Sequence, residues 1–236
     1  FFMLEFVMLF DMEKFEKNLL EIMTKCIDKV NSIKIKKAQL KLDGSIVTET
    51  DKIIHSTIEN FLLEFDIKIP IISEEGNFSE QDFEKNIYWL IDPIDGTKSY
   101  SKGGIGYTIN IALIDKGDPV LGIIGHPPTG SIWFGYKNIA YKILRKKKYL
   151  LNTVTNIQNP KIIASTNIDR ETDSFIKKIK VAKLKKFASS IKFCKLAEGE
   201  ADIYPRLNSI KKWDIAAGDA ILRAAGGMLL DAKKED

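Results

Sequence analysis

The 236-residue sequence predicts a mixed α/β (α+β) fold, on three observations from successive parts of the chain. Two amphipathic helices come first, short apolar strands joined by turns occupy the middle, and strands alternate with helices near the end. This change of pattern predicts an N-terminal α+β subdomain with an antiparallel sheet at 1–140 and a C-terminal α/β subdomain at 141–236. We expect the two to form one compact unit.

The first elements are two helices. One is predicted at 11–32, where apolar residues recur on a single stripe: Phe15, Leu19, Ile22, Cys26 and Val30. The second is predicted at 50–65, and Thr48 followed by Asp51 resembles a capping box at its start. The segment between the helices is polar, with a turn predicted at Asp43–Gly44.

The middle of the chain predicts a meander of hairpins. Its strands are short, and two of them end in acidic residues. The predicted strands are IPIIS (69–73), IYWLID (87–92), YTINIALID (107–115), PVLGIIG (119–125) and SIWFGYK (131–137).

The last third predicts strands and helices in alternation. Strands are predicted in KIIAST (161–166) and ADIYPRL (201–207), and helices in DRETDSFIKKIK (169–180) and SSIKFCKLAEG (189–199). A final helix runs from Trp213–Asp214 to a glycine stop at 226–227, after which MLLD would begin a strand.

Composition and charge exclude several classes of protein. A net charge of +4 is too diffuse for a nucleic-acid binder, although it suits small anionic ligands. The basic run at 145–149 is expected to be a solvated loop or a strand edge.

The apolar opening at 1–10 is shorter than the roughly 20 residues of a membrane span, so we interpret it as a helix extension or a gene-start irregularity and expect no membrane insertion. Cys26 and Cys194 are expected to be buried free thiols, which favours a cytoplasmic protein.

Acidic residues gather where the predicted elements end or begin, and side chains at such boundaries can be held rigidly while reaching the surface. These residues are Asp51, Glu74, Glu75, Asp92, Asp95 and Asp214. In DPIDGT, the Pro93 ring and Gly96 favour a turn that aims Asp92 and Asp95 in a similar direction. Two close carboxylates need a cation, and an all-oxygen ligand set favours Mg²⁺. Each segment alone is more typical of a solvated turn or a helix N-cap, so this interpretation depends on their joint occurrence.

Four segments in this order resemble the inositol monophosphatase superfamily of Mg²⁺-dependent phosphatases: DGSIVTETD (43–51), ISEEG (72–76), LIDPIDGTKSY (90–100) and WDIAAGDAILRAAGG (213–227). Two further stretches, at 95–130 and 189–206, resemble the CysQ type of 3′(2′),5′-bisphosphate nucleotidase. The resemblance implies a layered α/β/α/β/α sandwich with a site between its halves.

The resemblance also implies the roles of the site residues. Two or three Mg²⁺ ions would be held by Glu74, Asp92, the Ile94 backbone carbonyl, Asp95 and Asp214, of which only Asp214 comes from the C-terminal subdomain. Asp51, Thr97 and Glu74 would be catalytic, with Thr97 and Asp51 positioning and deprotonating the attacking water, and Glu75 would be a supporting acid. The substrate would be contacted by Gly96, Thr97, Lys98 and Asp219.

The implied reaction is removal of the 3′-phosphate of 3′-phosphoadenosine 5′-phosphate, a small anionic phosphate ester. An inositol or sugar-phosphate phosphatase of the same fold is the first alternative. ASTNID at 164–169 and Asp219 depart from the nucleotidase pattern and leave the substrate open. A non-catalytic binding protein is the second alternative, which the early stop of the sequence favours and the complete set of acids opposes. We expect a monomer in preference to a homodimer, and no nucleic-acid partner.

Overall fold

A computed structural model of the chain describes residues 12–33, 38–41, 44, 46–65, 69–153, 156 and 158–232. The interpretation of 1–10 as a helix extension lies outside the described residues. So does Asp43, the first residue of the turn predicted after the first helix.

Two helices and a hairpin open the described part of the chain. Helix α1 covers Met12–Ser32 and helix α2 covers Glu49–Leu63, which confirms both predicted helices. Between them, strand β1 (Ala38–Leu40) pairs antiparallel with strand β2 (Ile46–Thr48). The hairpin was not predicted, because its residues are mostly polar and β1 is exposed along its whole length.

A seven-stranded sheet forms the centre of the fold, and it confirms the predicted meander from β4 onward; the predicted antiparallel pairing is wrong for β3, which lies parallel to β4. Its strands lie side by side in chain order; β3 and β4 are parallel, and every later pair is antiparallel. The strands are β3 (Ile71–Ser73), β4 (Ile87–Asp95), β5 (Thr108–Asp115), β6 (Asp118–His126), β7 (Ser131–Tyr136), β8 (Ile139–Leu144) and β9 (Lys147–Leu150). The basic run at 145–149 reaches the outermost strand, as expected for a strand edge. Position 140 falls within β8, and the division into two subdomains stays a prediction.

The remaining elements surround this sheet. Two short helical segments precede and follow β4: a 3₁₀ helix at Glu80–Glu84 and helix α3 at Thr97–Ser101. The later elements are β10 (Lys161–Ser165), α4 (Arg170–Lys178), β11 (Lys183–Phe187), α5 (Ile191–Ala197) and α6 (Lys212–Ala224), with β10 and β11 forming a parallel pair. The predicted helices at 169–180, 189–199 and 213–225 are therefore confirmed within a few residues.

Two predicted strands are wrong. Residues 201–207 form only an isolated bridge between Ile203 and Ile162, because Pro205 has no backbone N–H with which to continue a ladder. Residues 228–231 have no strand structure, and the apolar side chains of Met228 and Leu230 are exposed.

The sheet is covered by helices on both faces. Alternate residues of β4 point to opposite sides, so Trp89 and Ile91 pack towards α1 and α2, whereas Tyr88 and Leu90 pack towards α5 and α6. Helix α6 lies directly on the sheet at Gly122, where a Cβ atom would collide with the backbone of α6. This close contact places the middle of α6, at Ala217 and Ala220, against β6.

Two further expectations concern the environment of the chain. Among the described helices, none combines the length and the apolar character needed to cross a membrane. Cys26 and Cys194 are buried and form no disulfide, as expected. Burial raises the pKa of Cys26 to about 12, which keeps it a protonated, unreactive thiol.

Candidate metal centre

Predicted site residues converge on one open cleft of about 380 Å³ at the end of β4. One oxygen atom from each of Asp92, Asp95 and Asp214 lies within 4.8 Å of the others. The predicted site residues that line the cleft are Glu74, Asp92, Ile94, Asp95, Gly96, Thr97, Lys98 and Asp214. The fold thus brings together residues that lie up to 140 positions apart in the sequence, from Glu74 to Asp214.

Asp92 is the clearest sign of a cation at this place. Its side chain is 1% exposed, and within the described part of the chain neither carboxylate oxygen has a hydrogen-bond partner. Burial raises the pKa of Asp92 well above its ordinary value, and the charges of Glu74, Asp95 and Asp214 raise it further. A buried carboxylate without a partner costs several kcal/mol, so a bound cation would supply what the protein itself does not.

Glu74 and Asp214 also have raised pKa values, for the same two reasons: burial and the charges of neighbouring acids. Burial raises the pKa of Glu74 to about 7, with Glu75 and Asp214 adding to the increase and Lys41 opposing it. Burial and the charge of Asp95 raise the pKa of Asp214 to about 6. Because every donor in the group is an oxygen atom, these residues fit a hard divalent cation and do not fit a metal that prefers sulfur or nitrogen.

Asp51 and Thr97 form the predicted hydrogen-bonded pair beside these acids. The Thr97 hydroxyl lies 3.0 Å from Asp51 Oδ1 and 2.9 Å from the carbonyl oxygen of Ile94. The other oxygen of Asp51 accepts the backbone N–H of Thr48 at 2.8 Å, which confirms the predicted capping box at the start of α2. The carboxylate of Asp51 is therefore held in a single orientation, buried behind Thr97.

Gly96 shapes the turn that carries Thr97. Its φ is +94°, a left-handed value that glycine adopts without strain. A Cβ atom at this position would lie 2.5 Å from the carbonyl oxygen of Gly106, so a side chain is excluded sterically as well. The turn consequently presents bare backbone to the cleft next to the acids.

Glu75 and Lys98 lie at the edges of this arrangement. Glu75 forms an ion pair of 2.6 Å with Lys41, which comes from the segment that follows β1. Lys98 lines the cleft and is exposed. The first contact ties the β1–β2 hairpin to the metal centre, and the second leaves a positive charge at the entrance.

Asp219 lies away from the cleft. The Nε of Arg223 donates to Asp219 Oδ1 at 2.9 Å, and Nη1 of the same arginine lies 3.3 Å from Asp118. Asp118 begins β6, next to the end of β5 that is farthest from Asp95. The structure therefore corrects the predicted position of Asp219 on the substrate side, and its charge is already balanced by Arg223.

Sequence reasoning missed a buried network that supports Asp95. The hydroxyl of Ser190 lies 2.7 Å from Asp95 Oδ2 and 2.9 Å from the carbonyl oxygen of Asp214, and it accepts the side-chain amide of Asn110 at 2.9 Å. Ser190 thus connects the end of β4 to the start of α6. Its position in the polar pair at 189–190 gave no signal by itself, because the contact spans 95 residues.

Two basic residues near the acids were also missed. Lys192 on α5 is 5% exposed; burial lowers its pKa, while the charges of Asp95 and Asp214 oppose that decrease. Arg206 interacts electrostatically with Lys192, and its Nε atom is buried with no hydrogen-bond partner among the described residues. Neither residue lines the cleft itself: Lys192 donates to the carbonyl oxygen of Ser189, and Arg206 lines a separate cavity beside Tyr204.

Comparisons with known proteins agree with this geometry. A model of the inositol monophosphatase family matches residues 8–236. The chain is 39% identical over 208 residues to the 3′(2′),5′-bisphosphate nucleotidase CysQ of Buchnera aphidicola, which covers 86% of this chain and 77% of the relative. It is 34% identical over 198 residues to the protein of the same name from Escherichia coli K12, covering 81% and 78%.

Solved structures show the same fold. The crystal structure of CysQ from Bacteroides thetaiotaomicron, a member of the inositol monophosphatase family, superposes with a TM-score of 0.78 at 31% identity over 93% of this chain and 90% of that one. The Thermotoga maritima IMPase TM1415 superposes with a TM-score of 0.75 at 22% identity, over 94% and 86%. The fold and the acidic cleft are those of a metal-dependent phosphatase. The chain belongs to the inositol monophosphatase family.

Proposed function

We propose that this protein removes the 3′-phosphate of 3′-phosphoadenosine 5′-phosphate with the help of two or three Mg²⁺ ions. The observation that carries the proposal is the buried, unpartnered carboxylate of Asp92 among three further acids at one end of the sheet. The relatives named CysQ support the choice of a nucleotide as substrate. The ions would be held by Glu74, Asp92, the Ile94 carbonyl, Asp95 and Asp214, with Glu75 as a supporting acid.

A phosphate monoester is anionic and resists attack by water, so catalysis depends on charge neutralisation and positioning. Bound Mg²⁺ would neutralise the phosphate and stabilise the attacking and leaving oxygens of an in-line displacement. Thr97 and Asp51 would accept the proton of the attacking water, with the Thr97 hydroxyl passing it to Asp51 Oδ1. Burial raises the pKa of Asp51, against the hydrogen bonds from Thr48 and Thr97, and this makes Asp51 a better proton acceptor. The new P–O bond forms as the bond to the ribose oxygen breaks; the ribose oxygen takes up a proton from solvent water and becomes a hydroxyl, Asp51 returns its proton to solvent, and inorganic phosphate is released.

The turn after β4 would bind the phosphate that is removed. Backbone N–H groups of Gly96 and Thr97 can donate to phosphate oxygens, because the missing side chain at Gly96 allows close approach. Lys98 at the entrance would add attraction for the anion.

The second phosphate of the substrate needs its own positive charges. Lys192, whose charge acts on Asp95 and Asp214, and Arg206 beside it would supply them, and the buried Nε of Arg206 has no hydrogen-bond partner among the described residues. Arginine and lysine bind phosphate through charge-assisted hydrogen bonds. This pair favours a bisphosphate over a monophosphate, and thus a nucleotide bisphosphate over inositol 1-phosphate.

A cytoplasmic location, a monomeric state and the absence of a nucleic-acid partner belong to the same proposal. The two buried free thiols support a reducing compartment, since an oxidising one favours disulfides.

The decisive experiment measures phosphate release from a panel of substrates with Mg²⁺ and with a chelator. We expect Mg²⁺-dependent release from 3′-phosphoadenosine 5′-phosphate, and slower release from adenosine 3′-monophosphate and inositol 1-phosphate. A clear preference for inositol 1-phosphate would replace the nucleotidase with an inositol phosphatase. Release from none of these esters, with folded protein and saturating Mg²⁺, would favour a binding protein on this fold.

A further inference from the structure

One histidine contacts the turn that carries Glu74 and Glu75, although the proposed reaction does not use it. His55 lies on α2 four residues after Asp51, and its Nδ1 is 2.9 Å from the hydroxyl of Ser73. Ser73 is 2% exposed and is the last residue of β3, immediately before the two glutamates. A lone histidine on a helix gave no signal in the sequence, because its partner lies in a strand 18 residues further on.

The serine is in turn bonded to the turn that follows it. The backbone N–H of Glu75 lies 3.4 Å from the Ser73 hydroxyl, and that of Gly76 donates to the Ser73 carbonyl at 3.0 Å. The imidazole also packs against this turn, because a Cβ atom built at Gly76 would lie 3.5 Å from His55 Cε1. The imidazole therefore contacts both ends of the turn formed by residues 73–76.

A neutral imidazole protonated on Nε2 is consistent with these contacts. In that form the Ser73 hydroxyl accepts the Glu75 N–H and donates its own proton to Nδ1 of His55. The remaining proton of a neutral imidazole is then on Nε2, which lies 3.6 Å from the carboxylate of Glu59. Glu59 is half-exposed, so the inner contact with Ser73 is the one shielded from water.

Helix α2 consequently holds two parts of the metal centre at once. Asp51 holds Thr97 in the turn after β4, and His55, one helical turn later on the same face, holds Ser73 in the turn after β3. We propose that His55 is a positioning residue for the metal centre, which fixes Glu74 and Glu75 at their place opposite Asp92. This inference rests on the proposed metal site.

The test compares three substitutions of His55 in the full chain. His55→Ala removes the contact with Ser73. His55→Asn keeps a donor and acceptor amide at the position of Nδ1, whereas His55→Gln places its amide near the position of Nε2. Glu59→Gln is the matched control, because it changes only the outer contact. Mg²⁺ binding is measured by calorimetric titration and by the increase in melting temperature on adding Mg²⁺, and the Mg²⁺ concentration for half-maximal phosphate release is measured alongside.

We expect His55→Ala to weaken Mg²⁺ binding about 10- to 100-fold, the usual effect of losing a residue that orients a metal ligand. His55→Asn should recover most of that loss, His55→Gln should not, and Glu59→Gln should bind Mg²⁺ as the unmodified protein does. Should His55→Ala fail to fold, Ser73→Ala breaks the same contact from the other side and is expected to weaken Mg²⁺ binding similarly.

A purely structural role predicts a different outcome and would overturn the inference. In that case His55→Ala lowers the melting temperature equally with and without Mg²⁺, and the affinity for Mg²⁺ is unchanged. The inference alone fails if the unmodified protein binds Mg²⁺ and hydrolyses the nucleotide while the His55 variants bind Mg²⁺ equally well. If the unmodified protein does not bind Mg²⁺, the proposed function fails together with it.

Discussion

Two carboxylates of this molecule show how a structural acid differs from a functional one. Glu198, at the end of α5, accepts hydrogen bonds from Trp133 Nε1 at 2.7 Å and Lys142 Nζ at 2.9 Å, and Lys195 Nζ lies 2.8 Å from its other oxygen. Asp92, near the end of β4, has no such partner among the described residues. Both side chains are largely buried, so burial does not separate them. The two acids differ in the number and the charge of the groups around them.

The contrast has a physical consequence for each region. The charge of Glu198 is matched by two lysines, and the group ties the sheet to α5. The charge of Asp92 is opposed by Glu74, Asp95 and Asp214, all of the same sign. Clustered carboxylates of the same sign raise the free energy of the folded protein, and a bound cation would remove this repulsion. Such a cluster is therefore expected where a protein binds a metal ion.

The first prediction concerns Asp92, the acid without a partner, and has the largest expected effect. Asp92→Asn removes one negative charge with little change in volume. We expect phosphate release to fall more than about 100-fold, because a metal ligand is lost. We also expect the melting temperature of the metal-free protein to increase at neutral pH, because the variant no longer has to keep a buried carboxylate charged or protonate it on folding. A variant with normal turnover, or a destabilised metal-free protein, would contradict the assignment of Asp92 as a ligand.

The second prediction concerns Lys192, the cation near Asp95 and Asp214. Lys192→Met keeps the length of the side chain and removes its charge. We expect KM for 3′-phosphoadenosine 5′-phosphate to increase about 10- to 100-fold, as for loss of a charged hydrogen bond. The KM for adenosine 3′-monophosphate should change much less, because this substrate lacks the second phosphate. An equal loss for both nucleotides would place Lys192 outside the proposed 5′-phosphate site.

The third prediction uses the raised pKa values of the acids. Without metal, Glu74 has a pKa of about 7 and Asp214 of about 6, against ordinary values of 4.5 and 3.8. The folded protein therefore keeps protons that the unfolded chain releases, and its free energy of unfolding decreases as the pH rises from about 4 to about 7.

Mg²⁺ replaces those protons, so the stabilisation that it provides should grow over the same pH range. At a concentration of about 100 times Kd, a ligand adds about 2.7 kcal/mol to the free energy of unfolding. We expect the increase in melting temperature on adding Mg²⁺ to be several degrees near pH 8 and much smaller near pH 5. The measurement is a thermal melt with Mg²⁺ and with a chelator at both pH values. An increase that does not depend on pH would mean that Mg²⁺ binds away from these acids.

The sequence predicted the part of the site that is carried by continuous segments. Asp92, Asp95, Gly96 and Thr97 lie within six residues, and turn chemistry alone places them together. Ser190 and Lys192 could not be found in this way, because only the packing of α5 against the sheet brings them near Asp95. Asn110 could not be found either, because it reaches Asp95 through the register of β4 with β5. The helices and the meander followed from apolar periodicity, whereas the polar β1–β2 hairpin and the exposed strand β11 have no such pattern.

Asp219 shows why nearness in sequence can mislead. It lies five residues after Asp214 on α6, which corresponds to a rotation of about 140° around the helix axis. The two aspartates therefore face different directions, and the later one meets Arg223 instead of the cleft. A helical projection of α6 would have separated them without any structure.

The last prediction concerns Glu198, the acid whose charge is matched by lysines, and has the smallest expected effect. Glu198→Gln makes the same exchange of charge for amide as Asp92→Asn, but at a carboxylate with three partners. We expect the free energy of unfolding to decrease by about 1–3 kcal/mol, because Lys142 and Lys195 lose the charge that they face. Turnover and Mg²⁺ affinity should stay near those of the unmodified protein. Denaturant unfolding and the phosphate-release assay check both. If the Glu198 variant lost activity or gained stability, the distinction between partnered and unpartnered acids would not separate structure from function in this fold.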